Sequence, residues 1–166
     1  MRKFAAAMLV LAVSLFVLSA CGKEASPEVR PEPSGTIDAA WETGAVTVEY
    51  YDGADIAQTE QGSDLLIQVP QGAYLETINI FAPEGEVNVV GVLAAQYDIE
   101  TVGDDINIYL PEGTAFHVML TTIRDIFESD FLYDVTATKH EYVYLTDGVE
   151  ITLETVIGVA RVLTLE

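Results

Sequence analysis

The feature of this 166-residue sequence that most constrains its fold is an internal repeat. Residues 60–75 superpose without a gap on residues 101–116, and a glycine, an aspartate, a proline and a second glycine each recur 41 positions later. A fixed period in a β-rich chain is typical of a stacked array, so we predict an all-β, single-stranded β-solenoid (β-helix-like) of short repeated coils. A β-sandwich is the alternative, because its hairpins also space strands by about 8–12 residues.

Short β-rich runs follow one another along the chain, with turn-forming residues between them. Runs such as 106–110 and 151–154 alternate apolar and polar residues, which buries one face of a strand and exposes the other. Pro-x-Gly triplets at 70–72 and 111–113 predict type I turns, with proline at the second position and glycine at the fourth. The predicted strands cover residues 46–48, 65–69, 74–80, 87–90, 97–101, 106–110, 116–120, 142–146, 149–155 and 161–165.

Residues 122–132 fit the strand pattern less well. Four apolar residues in this segment have helical spacing, and Thr122 with Asp125 resembles a helix capping box. Its place in the repeat favours a strand, with a short helix as the alternative.

The predicted strand at 161–165 ends one residue before the end of the sequence. The last coil of a solenoid exposes an apolar cross-section unless something covers it. We therefore expect residues 130–141 to fold over this coil, with end-to-end pairing of two copies as the alternative. The internal cap is favoured because a strongly negative chain opposes self-association.

Residues 1–20 have the composition of a lipoprotein signal peptide. Two basic residues precede an apolar stretch, and a hydrophobic residue, two small residues and a cysteine follow at 18–21. This is the lipobox pattern of bacterial lipoproteins, in which the thiol of Cys21 takes up diacylglycerol and the bond before it is cleaved. A retained transmembrane helix is disfavoured because about 17 apolar residues at about 1.5 Å each do not span a hydrocarbon core of about 30 Å. An ordinary signal peptide is disfavoured because Leu18 is too large for its cleavage site.

Cys21 is the only cysteine, so no intrachain disulfide is possible, and we interpret it as the lipidated anchor. After it, residues 22–36 contain three prolines and no apolar period. This composition predicts a Pro-rich tether over residues 21–36. The folded domain is predicted for residues 37–166.

Acidic residues dominate the charge of the chain, with 27 Asp and Glu against 7 Lys and Arg, a formal net charge of −20. Cleavage before Cys21 would remove two basic residues and leave −22. This charge excludes nucleic acid as a partner and opposes contact with anionic lipid headgroups. We therefore expect membrane attachment through the N-terminal lipid alone, on the extracytoplasmic side. The membrane would be the cytoplasmic membrane of a Gram-positive cell or the outer membrane of a Gram-negative one.

Motifs for catalysis are missing from the sequence. It contains no G-x-S-x-G, no P-loop and no G-x-G-x-x-G. His140-Glu141 begins like a zinc-protease motif, but Tyr144 stands in place of the second histidine. His117 lies in an alternating run and is interpreted as a partly exposed strand residue. We predict no catalytic residue, no metal site and no cofactor, and therefore a protein that is not an enzyme.

Two groups of carboxylates offer the oxygen ligands that calcium prefers: Glu128, Asp130 and Asp134, and Asp104 with Asp105. No calcium-binding loop surrounds either group, so we interpret both as solvated acidic surface.

Aromatic residues occur in pairs that could form either a platform for glycans or peptides or a part of the core. We favour core packing, because burial of a strand face is the simpler account. Trp41 is interpreted as a cap on the first coil. The pairs are Tyr50 with Tyr51, Tyr142 with Tyr144, and Phe131 with Tyr133.

A degenerate turn occurs three times, at 101–106, 122–126 and 151–158, and resembles a recurring Thr-x-Ser-Gly-Asp turn. On these turns, residues 37–166 resemble the bacterial putative-adhesin domain family of unknown function, which is often carried on lipoproteins and membrane proteins. The resemblance implies a right-handed β-solenoid. It transfers no catalytic residue, because the family has no established ones.

These observations favour a non-catalytic, membrane-anchored interaction or scaffold domain with an unknown protein or glycan partner. An envelope sensor or regulator acting on a membrane partner is the alternative. A carbohydrate-active enzyme is a remote alternative, because Arg124, Lys139 and Arg161 are the only basic residues of the predicted domain.

Overall fold

The structure, a computed structural model, describes residues 34–124, 126–131, 134–135, 140–144 and 148–165. The described residues belong to one compact unit, Pro31–Glu166. Cys21, the predicted signal peptide and most of the predicted tether lie outside them. Within the described residues, no helix is long and apolar enough to cross a membrane.

The described part of the chain is built from strands and the turns between them. The strands are β1 (Thr36–Ala40), β2 (Val46–Tyr51), β3 (Ala57–Gln61), β4 (Asp64–Pro70), β5 (Tyr74–Ala82), β6 (Val87–Val90), β7 (Leu93–Thr101), β8 (Ile106–Leu110), β9 (Phe116–Thr122), β10 (Phe127–Ser129), β11 (Asp134–Val135), β12 (Glu141–Tyr144), β13 (Val149–Thr155) and β14 (Ala160–Thr164).

Two seven-stranded sheets share these strands. Sheet I has the order β1-β5-β7-β13-β9-β12-β11. Its first five strands are parallel, β12 pairs antiparallel with β9, and β11 pairs antiparallel with β12. Sheet II has the order β10-β14-β8-β6-β2-β4-β3, parallel except for the β3–β4 hairpin. Buried apolar side chains from both sheets form one core.

Alternation of buried and more exposed side chains along strands such as β1, β4, β9 and β13 explains why the two sheets share that core. In β13 the side chains of Val149, Ile151 and Leu153 are buried, whereas Glu150 and Glu154 are exposed. Burial of one such aliphatic side chain contributes about 1.5–3 kcal/mol to stability. One face of each sheet therefore turns inward and the other is left to solvent.

The β-solenoid prediction is wrong, and the two-layered sandwich is the better description. A solenoid stacks each coil on the one before it, but β13 pairs with both β7 and β9, so the strand order departs from the chain order. The sheets also mix parallel and antiparallel strands and do not form a closed solenoid. The 41-residue period has another source: the two copies of the repeat contain β4 and β8, which lie in one sheet with β2 and β6 between them. The pairs Leu65–Val46, Val46–Val87 and Val87–Ile106 keep the two copies in register.

The predicted cap on the C-terminal coil is also wrong. Strand β13 lies between β7 and β9, and β14 lies between β8 and β10, so this coil is interior and needs no cap. Of the segment expected to cover it, the described residues Asp134–Val135 form β11 at the edge of sheet I. In the N-terminal part of that segment, Asp130 Oδ2 accepts a hydrogen bond from the backbone N–H of Thr164 in β14 at 3.3 Å.

Local predictions agree better with the structure. Strands β6, β8 and β13 have the predicted bounds, and strands were found at the other predicted runs. Leu165, predicted as strand, follows the end of β14, and residues 145 and 146 lie outside the described residues. In the ambiguous segment Thr122 ends β9, residues 127–129 form β10, and the other described residues are bends or irregular. The capping-box residue Asp125 lies outside the described residues.

The Pro-x-Gly turns differ in register from the prediction. Backbone hydrogen bonds from Ala73 N to Pro70 O, 3.0 Å, and from Thr114 N to Pro111 O, 3.1 Å, place proline first and glycine third. Gly113 has a φ of 81°, which a turn of type II requires at its third position and which glycine adopts without steric cost.

Candidate functional site

Three turns of related sequence stack at one corner of the molecule, where β7, β13 and β9 end. Their first residues, Thr101, Thr155 and Thr122, pair in register across neighbouring strands. Thr101 and Thr155 are buried, and both hydroxyls donate to the carbonyl oxygen of Asp104, at 2.7 and 3.3 Å. We call these three connections the Thr turns. They coincide with the three copies of the turn that carried the family resemblance.

Backbone hydrogen bonds continue the sheet into the Thr turns. Val102 N donates to the carbonyl oxygen of Pro83 at 3.3 Å, and Ile157 N donates to that of Val102 at 3.2 Å. Ile123 N donates to the carbonyl oxygen of Val156 at 3.4 Å. Because each turn is held by its neighbour, the side chains that point outward from the turns have fixed relative positions.

Those outward side chains are aliphatic. Val102, Ile157 and Ile123 are 44%, 52% and 79% exposed, and we call these three residues the apolar ridge. Phe81 and Met119 are exposed on the outer face of sheet I beside it. Five of the seven exposed large hydrophobic residues in the described chain thus gather on this face and corner, a concentration that marks interaction surfaces.

Carboxylates adjoin the apolar ridge on the outer face of sheet I. Glu100 of β7 and Glu154 of β13 are register partners, and Asp98 lies one outward position further along β7. No described cation forms an ion pair with any of the three. Like charges at directly adjacent strand positions repel each other, so this face carries an unfavourable electrostatic interaction in the free protein.

Sheet II presents a different outer face, centred on Arg161 of β14. Its guanidinium donates to Asp105 Oδ2 at 2.6 Å, to Glu128 Oε2 at 2.7 Å and to Asn107 Oδ1 at 3.1 Å. Asn107 Nδ2 in turn donates to Asn88 Oδ1 at 3.0 Å. This polar network crosses four neighbouring strands of the sheet, from β10 to β6.

The network sets the protonation of its charged members. Desolvation raises the pKa of Asp105, but hydrogen bonds from Arg161 and from the backbone N–H of Val159 lower it by more. The pKa of Asp105 therefore lies below its usual value. Hydrogen bonds to Asp105 and Glu128 raise the pKa of Arg161. Asp105 therefore serves as an ionised partner of Arg161. Among the described residues, no group of three His, Cys, Asp or Glu side chains is placed to hold a metal ion.

The histidines singled out in the sequence occupy strand and turn positions. His117 lies on the outer face of sheet I, with its Nδ1 3.1 Å from Glu150 Oε2, and is partly exposed as predicted. His140 is exposed, and its carbonyl oxygen accepts a hydrogen bond from Leu120 N at 2.9 Å. Lys139 and the side chain of Glu141 lie outside what the structure describes.

Most of the aromatic residues pack in the core, as predicted. Tyr142 is buried and stacks on Phe127 at 4.2 Å, and Tyr144 lies 5.0 Å from the buried Phe131. Tyr133 lies outside the described residues. Tyr50 is half-buried and donates to Ala73 O at 2.6 Å, Tyr51 donates to Asp55 O, and Trp41 donates to Ser63 O at 2.7 Å beside the β3–β4 turn.

The apolar ridge was not predicted from the sequence. A partial signal for it was present, because Val102 and Ile123 directly follow the threonine of their turns, whereas Ile157 lies two residues after Thr155. Its exposure and its neighbours depend on the order of β7, β13 and β9, which alternation does not reveal.

No protein-family model matches the chain, and no curated protein matches it. The chain is similar to a solved structure described as a putative cell adhesion protein from Clostridium sporogenes, with 9% sequence identity over 78% of this chain and 92% of that one, and a TM-score of 0.42. A likeness at this level leaves fold and function to be argued from the chain's own residues.

Proposed function

We propose that this protein is a lipid-anchored, extracytoplasmic protein whose all-β domain has a non-catalytic, adhesin-like binding role. The observation that carries the binding role is the gathering of exposed aliphatic side chains on the stacked Thr turns, because a soluble domain with so strong a negative charge otherwise keeps its surface polar. The lipobox at 18–21 supports the anchor, and the Pro-rich residues that follow support a short tether.

In this proposal Cys21 carries the lipid, and the domain stands at the outer surface of the cytoplasmic membrane or at the outer membrane. The partner is a component of the envelope or of its surroundings. Nucleic acid is disfavoured because both carry a large negative charge.

The anchor is tested by labelling cells with palmitate. The wild-type protein incorporates the label and partitions into detergent, and Cys21→Ser abolishes both because the thioether can no longer form. Ser19→Gly keeps a small residue in the lipobox and serves as the matched control. A Cys21→Ser protein of mature size that still partitions into detergent contradicts the anchor.

The binding role is tested by crosslinking in intact cells. A photoreactive residue in place of Ile123 is expected to give a discrete crosslinked product, whereas the same residue in place of Ile56, an exposed aliphatic position away from the Thr turns, gives none. Equal products at the two positions, or none at either, contradict a binding role for this surface.

A further inference from the structure

The apolar ridge and the carboxylates of the register partners Glu100 and Glu154 lie on the same side of the molecule. Outward and inward positions alternate along β7 into its turn, so that Glu100 and Val102 are exposed while Thr101 between them is buried. Positions two apart on a strand are separated by about 7 Å, and neighbouring strands by about 4.8 Å. Charge and aliphatic surface therefore adjoin within one small area.

From this arrangement we infer that the ridge and the Glu100–Glu154 pair form one docking surface for a protein segment that carries lysine or arginine beside aliphatic side chains. The inference rests on the proposed function and names its partner class. The aliphatic residues of the partner cover Val102, Ile157 and Ile123, and its cations lie between the two carboxylates.

Charge complementarity selects this partner. Glu100 and Glu154 are register neighbours on adjacent strands, and neither has an ion pair with a described residue. A bound cation replaces their repulsion with attraction, so the carboxylates favour the complex more than they favour the free protein. Arg124, exposed at the β9 end of the ridge, donates to the carbonyl oxygen of Ile157 at 3.2 Å. It makes that end positive and so fixes the direction in which a cationic segment binds.

Other occupants fit the surface less well. An anionic membrane leaflet is repelled by the carboxylates beside the ridge and by the negative charge of the whole chain. A second copy of this chain would bring the same carboxylates against each other. The patch is small, so the complex belongs with weak, transient contacts below about 1,200 Å² of buried surface.

The inference is tested with full-length protein purified from membranes in a non-ionic detergent. The probe is a fluorescently labelled synthetic peptide that alternates valine and lysine. We expect saturable binding of this peptide, no binding of a valine–glutamate peptide, and binding of a serine–lysine peptide that is weaker by about tenfold or more.

Variants then locate the binding. Ile123→Ser and Ile157→Ser are each expected to weaken the binding of the valine–lysine peptide by about three- to tenfold. Ile56→Ser is the aliphatic control and should leave the affinity unchanged. Glu100→Gln combined with Glu154→Gln is expected to weaken binding and to flatten its dependence on salt, with Glu112→Gln as the exposed control. Thermal melting of each variant checks that the fold is intact.

Three results would overturn the inference. The first is equal affinity for the valine–lysine and serine–lysine peptides, which would mean non-specific attraction to an acidic chain. The second is unchanged binding in both the ridge and the carboxylate variants. The third concerns protein in phosphatidylcholine vesicles with a photoreactive residue at position 123. If this residue labels lipid while the peptide is present, the ridge contacts the membrane and not a protein partner. The palmitate labelling and the in-cell crosslinking do not depend on the peptide-binding results. If the peptide tests fail and those two succeed, the assigned partner class is wrong while the proposed function stands.

Discussion

On the outer face of sheet II, Arg161 lies between Asp105 and Glu128 at 2.6 and 2.7 Å, whereas on the outer face of sheet I Glu100 and Glu154 are neighbours without a described cation. The strands beneath the two faces are alike in their alternation and in their share of one core. The faces differ in whether their polar groups satisfy one another. Sheet II uses its charges to hold strands together, and sheet I leaves charges and aliphatic side chains available to a partner.

The two outer faces differ in role: side chains on the outer face of sheet II contribute to stability, and those on the outer face of sheet I are available for binding. Substitutions on the outer face of sheet II should cost stability, because each removes a partner from a network. Substitutions on the outer face of sheet I should leave stability nearly unchanged and alter binding instead. Four measurements test that separation.

The largest effect is expected at Gly158, in the connection from β13 of sheet I to β14 of sheet II. A Cβ atom here would overlap with the carbonyl oxygen of Asp104 and lie 2.7 Å from Thr155 Oγ1, so Gly158→Ala must disrupt the stacked Thr turns. We expect a loss of about 2–4 kcal/mol in the free energy of unfolding, measured with denaturant. Gly103→Ala in the neighbouring Thr turn is the control, because nothing lies within 4 Å of its Cβ position. Similar losses in both variants would contradict the described stacking.

Replacing each of the two arginines by methionine sharpens the comparison directly. Arg161→Met leaves Asp105 and Glu128 without their partner and is expected to cost about 1–2 kcal/mol in unfolding free energy. Arg124→Met removes one exposed hydrogen bond to a carbonyl oxygen and is expected to cost less than about 0.5 kcal/mol. Denaturant unfolding of both variants measures the difference, and equal costs would remove the distinction between the faces.

Acid should reduce the contribution of the sheet II network to the free energy of unfolding. The pKa of Asp105 is lower in the folded protein than its usual value, so the unfolded chain binds this proton more readily. The resulting stability is present above the unfolded pKa of about 3.9 and is lost as the pH falls through the folded pKa. We expect the stability gap between wild type and Asp105→Asn to be widest at neutral pH and to narrow in acid. A gap that widens as the pH falls would refute the assignment.

The smallest effect is expected from relieving the charge pair on sheet I. Glu154→Gln removes one of two facing carboxylates and should raise the unfolding free energy by about 0.2–0.5 kcal/mol at low salt. The gain should vanish at about 1 M salt, where the screening length is about 3 Å. Glu150→Gln, on the same strand but paired with His117 at 3.1 Å, is the matched control and should give no gain. A loss of stability in Glu154→Gln would mean that the pair has a stabilising partner after all.

The positions of the strands could be predicted wherever apolar and polar residues alternate. Strands β8 and β13 show this pattern and were found as predicted. Strand β3 was missed, because four of its five residues are exposed and it forms only by pairing with β4 in a hairpin. Strand β10 was ambiguous because it is three residues long and its apolar neighbours have helical spacing.

The error over the solenoid has a physical cause in the repeat itself. The repeat copies on β4 and β8 are separated by β2 and β6, and each parallel pairing in between keeps equivalent residues in register. The 41-residue period therefore reports register and carries no information on strand order. A solenoid and a two-layered sandwich with parallel strands both satisfy it.

By itself the sequence determined where most strands lie, which side of each is buried, and the strongly negative charge of the surface, because alternation and charge are local properties of the chain. Only the tertiary structure decided that β13 lies between β7 and β9. That order brings Glu154 opposite Glu100 and sets Ile157 between Val102 and Ile123. Strand neighbours are chosen by contacts between residues distant in sequence, and many strand orders bury the same apolar faces equally well.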